Sequence, residues 1–127
     1  MNKQVCVLID DDEDDQMIFE AVIKKFFPTY EFHVFFQLAD AIPLLEKAQQ
    51  TKLVAFIDLN MPRVNGKECL KLLRNNPNTQ KLDVVILSTS NNPKDVNDCL
   101  LLGANAFITK PSAIDEIVHE IAPYLPN

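Results

Sequence analysis

Residues 53–87 read LVAFIDLNMPRVNGKECLKLLRNNPNTQKLDVVIL. Two short apolar runs, Leu53–Ile57 and Leu82–Leu87, flank a segment, Lys67–Asn75, in which Cys69, Leu70 and Leu73 recur at helical spacing. Neither run alternates apolar with polar residues, which is the pattern of strands covered on both faces and therefore of parallel pairing. The stretch predicts a strand, a crossover helix and a second parallel strand.

The same unit repeats outward in both directions. Further strand candidates are Val5–Ile9, Glu31–Phe36 and Ala104–Ile108. Helical spacing is carried by Ile18, Val22, Ile23 and Phe26 within Asp15–Phe27, and by Ile42, Leu45 and Ala48 within Asp40–Gln49, where Pro43 falls in the tolerant first turn. Asp95–Leu102 offers Val96, Cys99 and Leu100 and closes on Gly103, the residue a helix C-terminus prefers. Ala113–Leu125 carries Ile114, Ile117, Val118, Ile121, Ala122 and Leu125. Five strands alternating with five helices predict a single α/β domain over residues 1–127, a five-stranded parallel sheet with helices on both faces. Periodicity alone leaves the strand order open.

Composition narrows the function classes. Among 127 residues, 47% are hydrophobic and 24% charged, the balance of a globular chain. Twelve Lys and Arg stand against 18 Asp and Glu, and the six consecutive acids Asp10–Asp15 equal the whole excess of negative charge. With no basic stripe, the chain is unsuited to direct nucleic-acid binding or to anionic membrane surfaces. Gly66 and Gly103 are the only glycines, so no glycine-rich nucleotide loop exists. Cys6, Cys69 and Cys99 lie far apart in apolar runs and read as reduced core thiols of a cytoplasmic protein. His33 and His119 lack a second metal ligand nearby and read as structural or solvated.

Functional groups of open parallel sheets collect at the carboxyl ends of the strands. Those ends carry Asp10 and Asp11, then Asp58, then Ser88-Thr89-Ser90, then Thr109-Lys110-Pro111, whereas the second strand runs into Gln37 with nothing comparable. Taken singly, each has an ordinary explanation. Asp12 to Asp15 suit the N-terminal turn of a helix, Asp58 is a common strand-end acid, Ser88 a helix cap and Lys110 a solvated lysine. Their coincidence at four of five ends is what needs a reason. Carboxylates about 4 Å apart repel by roughly 4 kcal/mol per pair at an effective dielectric near 20, so they can stay ionised together only if a cation sits among them. Hard oxygen donors without His or Cys select Mg²⁺, or Mn²⁺ in its place.

Asp10-Asp11, the segment Phe56-Ile-Asp-Leu-Asn-Met-Pro62 with Gly66, Ser88-Thr89 and Lys110-Pro111 together resemble a response-regulator receiver domain of the stand-alone, chemotaxis-regulator-like kind. The resemblance spans essentially the whole chain. It implies the flavodoxin-like strand order 2-1-3-4-5, for which a receiver protein is itself a standard example. It implies Asp58 as phosphoacceptor, fed by a histidine kinase or phosphotransfer protein, with Mg²⁺ held by Asp10, Asp11, Asp58 and the backbone carbonyl of Asn60. Ser88, Thr89 and Lys110 would bind the phosphoryl group. Ser88 would move toward it and Phe107 turn inward, remodelling the face of the fourth helix, fifth strand and fifth helix for a protein output partner. The Lys110–Pro111 bond is expected cis, and the chain a phosphoacceptor rather than a turnover enzyme, monomeric or weakly dimeric. The run Cys99-Leu100-Leu101-Leu102 is more apolar than one buried stripe needs and reads in part as a docking patch. Two alternatives stand beside this. One is a haloacid-dehalogenase-like magnesium phosphohydrolase, although Asp14 occupies the position where that motif has Thr or Val. The other is a receiver-like interaction module that never carries phosphate.

Overall fold

The computed structural model describes residues 3–47 and 52–126. Its elements are β1 (Gln4–Ile9), α1 (Glu13–Phe26), β2 (Glu31–Phe35), α2 (Leu38–Leu45), β3 (Lys52–Asp58), α3 (Gly66–Asn75), β4 (Asp83–Ser88), α4 (Pro93–Leu101), β5 (Ala106–Thr109) and α5 (Ile114–Ile121), with a closing 3₁₀ turn at Ala122–Tyr124. All strand pairs are parallel and the order is β2-β1-β3-β4-β5. The chain therefore steps outward from β1 to β2, reverses its direction of travel across the sheet after β2, and leaves β1 and β3 adjacent at the switch point.

Strand alternation divides the core into two layers. Val5, Val7, Ile9, Ala55, Ile57, Val84 and Ile86 face α2, α3 and the buried Cys99 of α4. Cys6, Leu8, Val54, Phe56, Val85, Leu87 and Ile108 face α1 and α5. Every residue of β1 from Val5 onward is buried, as the near-continuous apolar runs predict. The edge strand β2 is more exposed.

Several boundaries and faces differ from expectation. In α1 the inward stripe is Phe19, Val22 and Ile23, continued by Phe27, while Ile18 and Phe26 are 43% and 44% exposed. Apolar residues occupy 18, 19, 22, 23, 26 and 27, so two adjacent stripes satisfy helical spacing. Phe19 decides between them by packing on Phe32 and Phe56, with centroids 6.0 and 5.1 Å away. In α4 Cys99 is buried but Leu100 is half-exposed, Leu101 is 86% exposed, and Ile114 of α5 is also exposed. β5 starts at Ala106 because Ala104 belongs to the end of α4: its N–H and that of Gly103 donate to the carbonyls of Cys99 and Leu100, with Gly103 at φ +104°. β4 extends to Ser88, and α5 gives way to the 3₁₀ turn where Pro123 removes an N–H. The Lys110–Pro111 bond is trans, since the described residues contain no cis peptide, in keeping with the ordinary preference of X–Pro bonds. Ala48 and Gln49, expected to end α2, lie outside the described residues. Cys6, Cys69 and Cys99 are free and buried. Among the described residues no helix is long and apolar enough to cross a membrane.

Candidate functional site

The switch point brings the expected residues to one rim. Asp10 follows directly on β1, and its N–H still donates to the Phe35 carbonyl of β2 (3.1 Å), so it is held by the ladder. Asp58 is the last residue of β3, and the Leu59 N–H continues the pairing by donating to the Leu87 carbonyl at 2.8 Å. One carboxylate oxygen each from Asp10, Asp11 and Asp58 lie within 4.8 Å of one another. Asp10 and Asp58 are buried and Asp11 is exposed, which leaves an ion bound there open to solvent on one side. Three hard donors and a solvent side fit a divalent cation that keeps water positions.

Asp10 is positioned from both oxygens. Oδ1 accepts the Asp12 N–H at 2.9 Å and Oδ2 accepts from Lys110 Nζ at 3.1 Å. Burial nevertheless dominates and raises its pKa to about 6, with Asp58 adding to the rise and the Asp12 N–H and Lys110 opposing it. Burial thus outweighs the one ammonium beside this acid, and a metal ion would supply further positive charge.

Lys110 leaves β5 with its N–H donating to the Ser88 carbonyl (2.6 Å), and its side chain is 17% exposed. Burial alone would lower its pKa, but the carboxylates of Asp15, Asp10 and Asp58 outweigh that and push it above the usual lysine range. Its nearest partner is Asp15 Oδ2 at 2.7 Å, then Asp10 at 3.1 Å, then Asp58 Oδ1 at 3.4 Å. The ion pair with Asp58 is thus the longest of the three. Asp15, read from the sequence only as an acid at a helix N-terminus, belongs to this network. Asp12 does fill the role expected of it: it N-caps α1 by accepting the Asp15 N–H at 3.0 Å.

Ser88 is fully buried, and its Oγ accepts the Ser90 N–H at 3.1 Å. Thr89 is exposed. Phe107 is half-buried against the α2–α3–α4 layer and pairs in register with Ile86, two residues before Ser88, so Phe107 and Ser88 share a face of the sheet. Asn60 is exposed, with its N–H 3.4 Å from Asp58 Oδ1. The loop between them and α3 is tight: the Gly66 N–H donates to the Leu59 carbonyl at 2.9 Å, and a Cβ on Gly66 would stand 2.9 Å from Leu59 Cα. Asn65 and Glu68 close a capping box that starts α3.

Phe36 and Gln37, at the end of β2, line a hollow of about 170 Å³ with Asp11, Met61, Pro62 and Arg63. The second strand end thus forms one wall beside the acids after all, through shape rather than charge. On the other side of Asp10, Asp15 and Lys110 border a cavity of about 110 Å³ between α1 and α5, whose apolar wall includes Ile18, Ile108 and Ile117.

Comparison with known proteins gives the same picture. Response regulator Rcp1 of Synechocystis sp. is 27% identical over 120 residues, covering 90% of this chain and 81% of that protein. The two-component response regulator ARR17 of Arabidopsis thaliana is 38% identical over 60 residues, which cover 47% of this chain and 39% of that protein. The crystal structure of the Mn²⁺-bound form of Rcp1 superposes with a TM-score of 0.80 at 25% identity, covering 98% of this chain and 96% of that one. The sequence profile of the response regulator receiver domain matches residues 6–122, all five strands and all five helices but for a few terminal residues. With that match and the 2-1-3-4-5 sheet, the chain belongs to the response regulator receiver domain family.

Proposed function

We propose that this receiver domain is a phosphorylation-dependent signalling switch of a two-component system. Asp58 takes a phosphoryl group from the phosphohistidine of a histidine kinase or phosphotransfer protein, and the phosphorylated form acts through a protein partner. The observation that carries this reading is the convergence of three carboxylates within 4.8 Å with a lysine ammonium 3.4 Å from one of them. In the transfer, an Asp58 oxygen forms a bond to phosphorus as the bond to the donor imidazole breaks, and the electron pair leaves with the ring. Charge neutralisation and alignment do most of the work in such a step. Asp10, Asp11, Asp58 and the Asn60 carbonyl would hold Mg²⁺, or Mn²⁺, which supplies positive charge to the phosphoryl oxygens. That a solved structure of Rcp1 is a Mn²⁺-bound form supports this assignment. Lys110 and the Ser88 and Thr89 hydroxyls are donors for the remaining phosphoryl oxygens, and Phe107 follows Ser88. The chain is read as a cytoplasmic phosphoacceptor that reacts once per transfer rather than as a turnover enzyme.

Incubation with acetyl phosphate and Mg²⁺, followed by intact mass measurement, tests this. One phosphoryl adduct per chain is expected, absent from Asp58→Asn and from protein in excess chelator. Catalytic release of phosphate without a detectable adduct would favour a hydrolase. Absence of both an adduct and beryllofluoride binding would favour a pure interaction module.

A further inference from the structure

Lys110 is shared among three carboxylates, and the ranking of distances runs against its service to Asp58. The ammonium donates hydrogen bonds to Asp15 at 2.7 Å and Asp10 at 3.1 Å, while Asp58 stands at 3.4 Å in an ion pair without a hydrogen bond. Asp15 lies in the first turn of α1, 95 residues from Lys110 in the chain, and is 39% exposed. Its position there is set by the Asp12 cap, which takes the Asp15 N–H and orients the turn toward the rim. A phosphoryl group on Asp58 would bring oxygens that compete with the carboxylates of Asp15 and Asp10 for the ammonium.

We propose that Asp15 is a positioning residue of the switch, a competing carboxylate that holds Lys110 back from Asp58 and so opposes the phosphorylated state. This rests on the phosphoacceptor reading given above. Asp10 cannot play the same part, because it lies among the proposed metal ligands and its charge is engaged when an ion binds. Asp15 lies outside that group of three oxygens and keeps its charge free for the lysine. The consequence is a switch biased toward the unphosphorylated form, with the bias set by one residue on α1. Among the described side-chain contacts, its carboxylate reaches the site through Lys110.

Beryllofluoride, which stands in for a phosphoryl group on a carboxylate, is the probe. Its affinity in saturating Mg²⁺ is measured by calorimetry for the full chain, for Asp15→Asn and for Asp14→Asn. The last removes the same formal charge from an exposed position next door that has no contact with Lys110 among the described ion pairs. The expected result is binding about 1.5- to fivefold tighter for Asp15→Asn, the range of a partly exposed ion pair, and no change for Asp14→Asn. Asp15→Ser serves as a second variant and is expected to tighten binding likewise. Unchanged or weaker binding by both Asp15 variants would overturn the proposal, as would an equal gain in Asp14→Asn, which would mark a general effect of charge. Failure of the unaltered protein to bind beryllofluoride would instead overturn the phosphoacceptor reading, and this proposal with it.

Discussion

Replacing Asp10 by Asn is expected to stabilise the metal-free protein at neutral pH. Asp10 is 1% exposed, and burial followed by the nearby Asp58 charge raises its pKa from 3.8 to about 6 despite the opposing Asp12 N–H and Lys110. The folded state therefore binds this proton more tightly than the unfolded chain does. Below about pH 4 the group is protonated in both states and contributes nothing. As pH rises from there through 6, the unfolded chain ionises freely while the folded one must ionise in a site that resists it, and stability falls. A shift of about two units is worth roughly 3 kcal/mol at about 1.4 kcal/mol per unit, fully lost by pH 7. Asparagine keeps an oxygen for the Asp12 N–H and carries no charge, so it recovers most of that loss. Some is returned because its amide cannot accept from Lys110. A net gain of about 2 kcal/mol is expected in urea unfolding with chelator at pH 7, or roughly 5–10 °C in Tm for a domain of this size. At pH 4 the two proteins are expected to coincide. Mg²⁺ is expected to raise the stability of the unaltered protein at pH 7 by mass action and to do little for the variant. An Asn variant less stable than its parent at pH 7 without metal, or equally stabilised at pH 4, would refute the reasoning.

Three further outcomes follow from the geometry. Gly66→Ala places a methyl 2.9 Å from Leu59 Cα and 3.3 Å from the Asp58 carbonyl, both backbone, and is expected to cost about 1–3 kcal/mol in urea unfolding and to lower the yield of phosphoryl adduct. Arg74 donates to the carbonyls of Gly103, Gln80 and Leu82 and to Asn105 Oδ1, tying α3 to the ends that border β4 and β5. Arg74→Ala leaves these acceptors without that partner and is expected to lower stability by about 2–4 kcal/mol, read as a fall in Tm. Burial pushes the Cys6 thiol up strongly and the Cys69 thiol up to about 12, so neither is expected to react with a thiol reagent in folded protein at pH 8, whereas all three cysteines are expected to react in urea.

How much of this was legible before the structure depends on how local each feature is. The strands announced themselves because β1, β3 and β4 are buried on both faces and must be apolar throughout. The rim acids could be found by asking what stands at each strand end, since in a parallel sheet all those ends lie on one side. The inward stripe of α1 was not legible, because Ile18 and Phe19 begin equally good helical series and only the rings of Phe32 and Phe56 choose between them. Asp15 was hidden by a sufficient local explanation: an acid in a first helical turn needs no further reason, and its partner is 95 residues away. The wall that Phe36 and Gln37 add beside Asp11 depends on β2 lying next to β1, an order that periodicity does not carry and that the family resemblance supplied.

The proposed phosphoacceptor is a single group, the carboxylate of Asp58. The most direct measurement is to treat the protein with acetyl phosphate and Mg²⁺, reduce it with borohydride, which converts an acyl phosphate to an alcohol, and locate the reduced position by peptide mass. Reduction is expected at position 58 alone, dependent on Mg²⁺. Modification at Asp10 or Asp11 instead, or at Asp58 to the same extent in chelator, would contradict it.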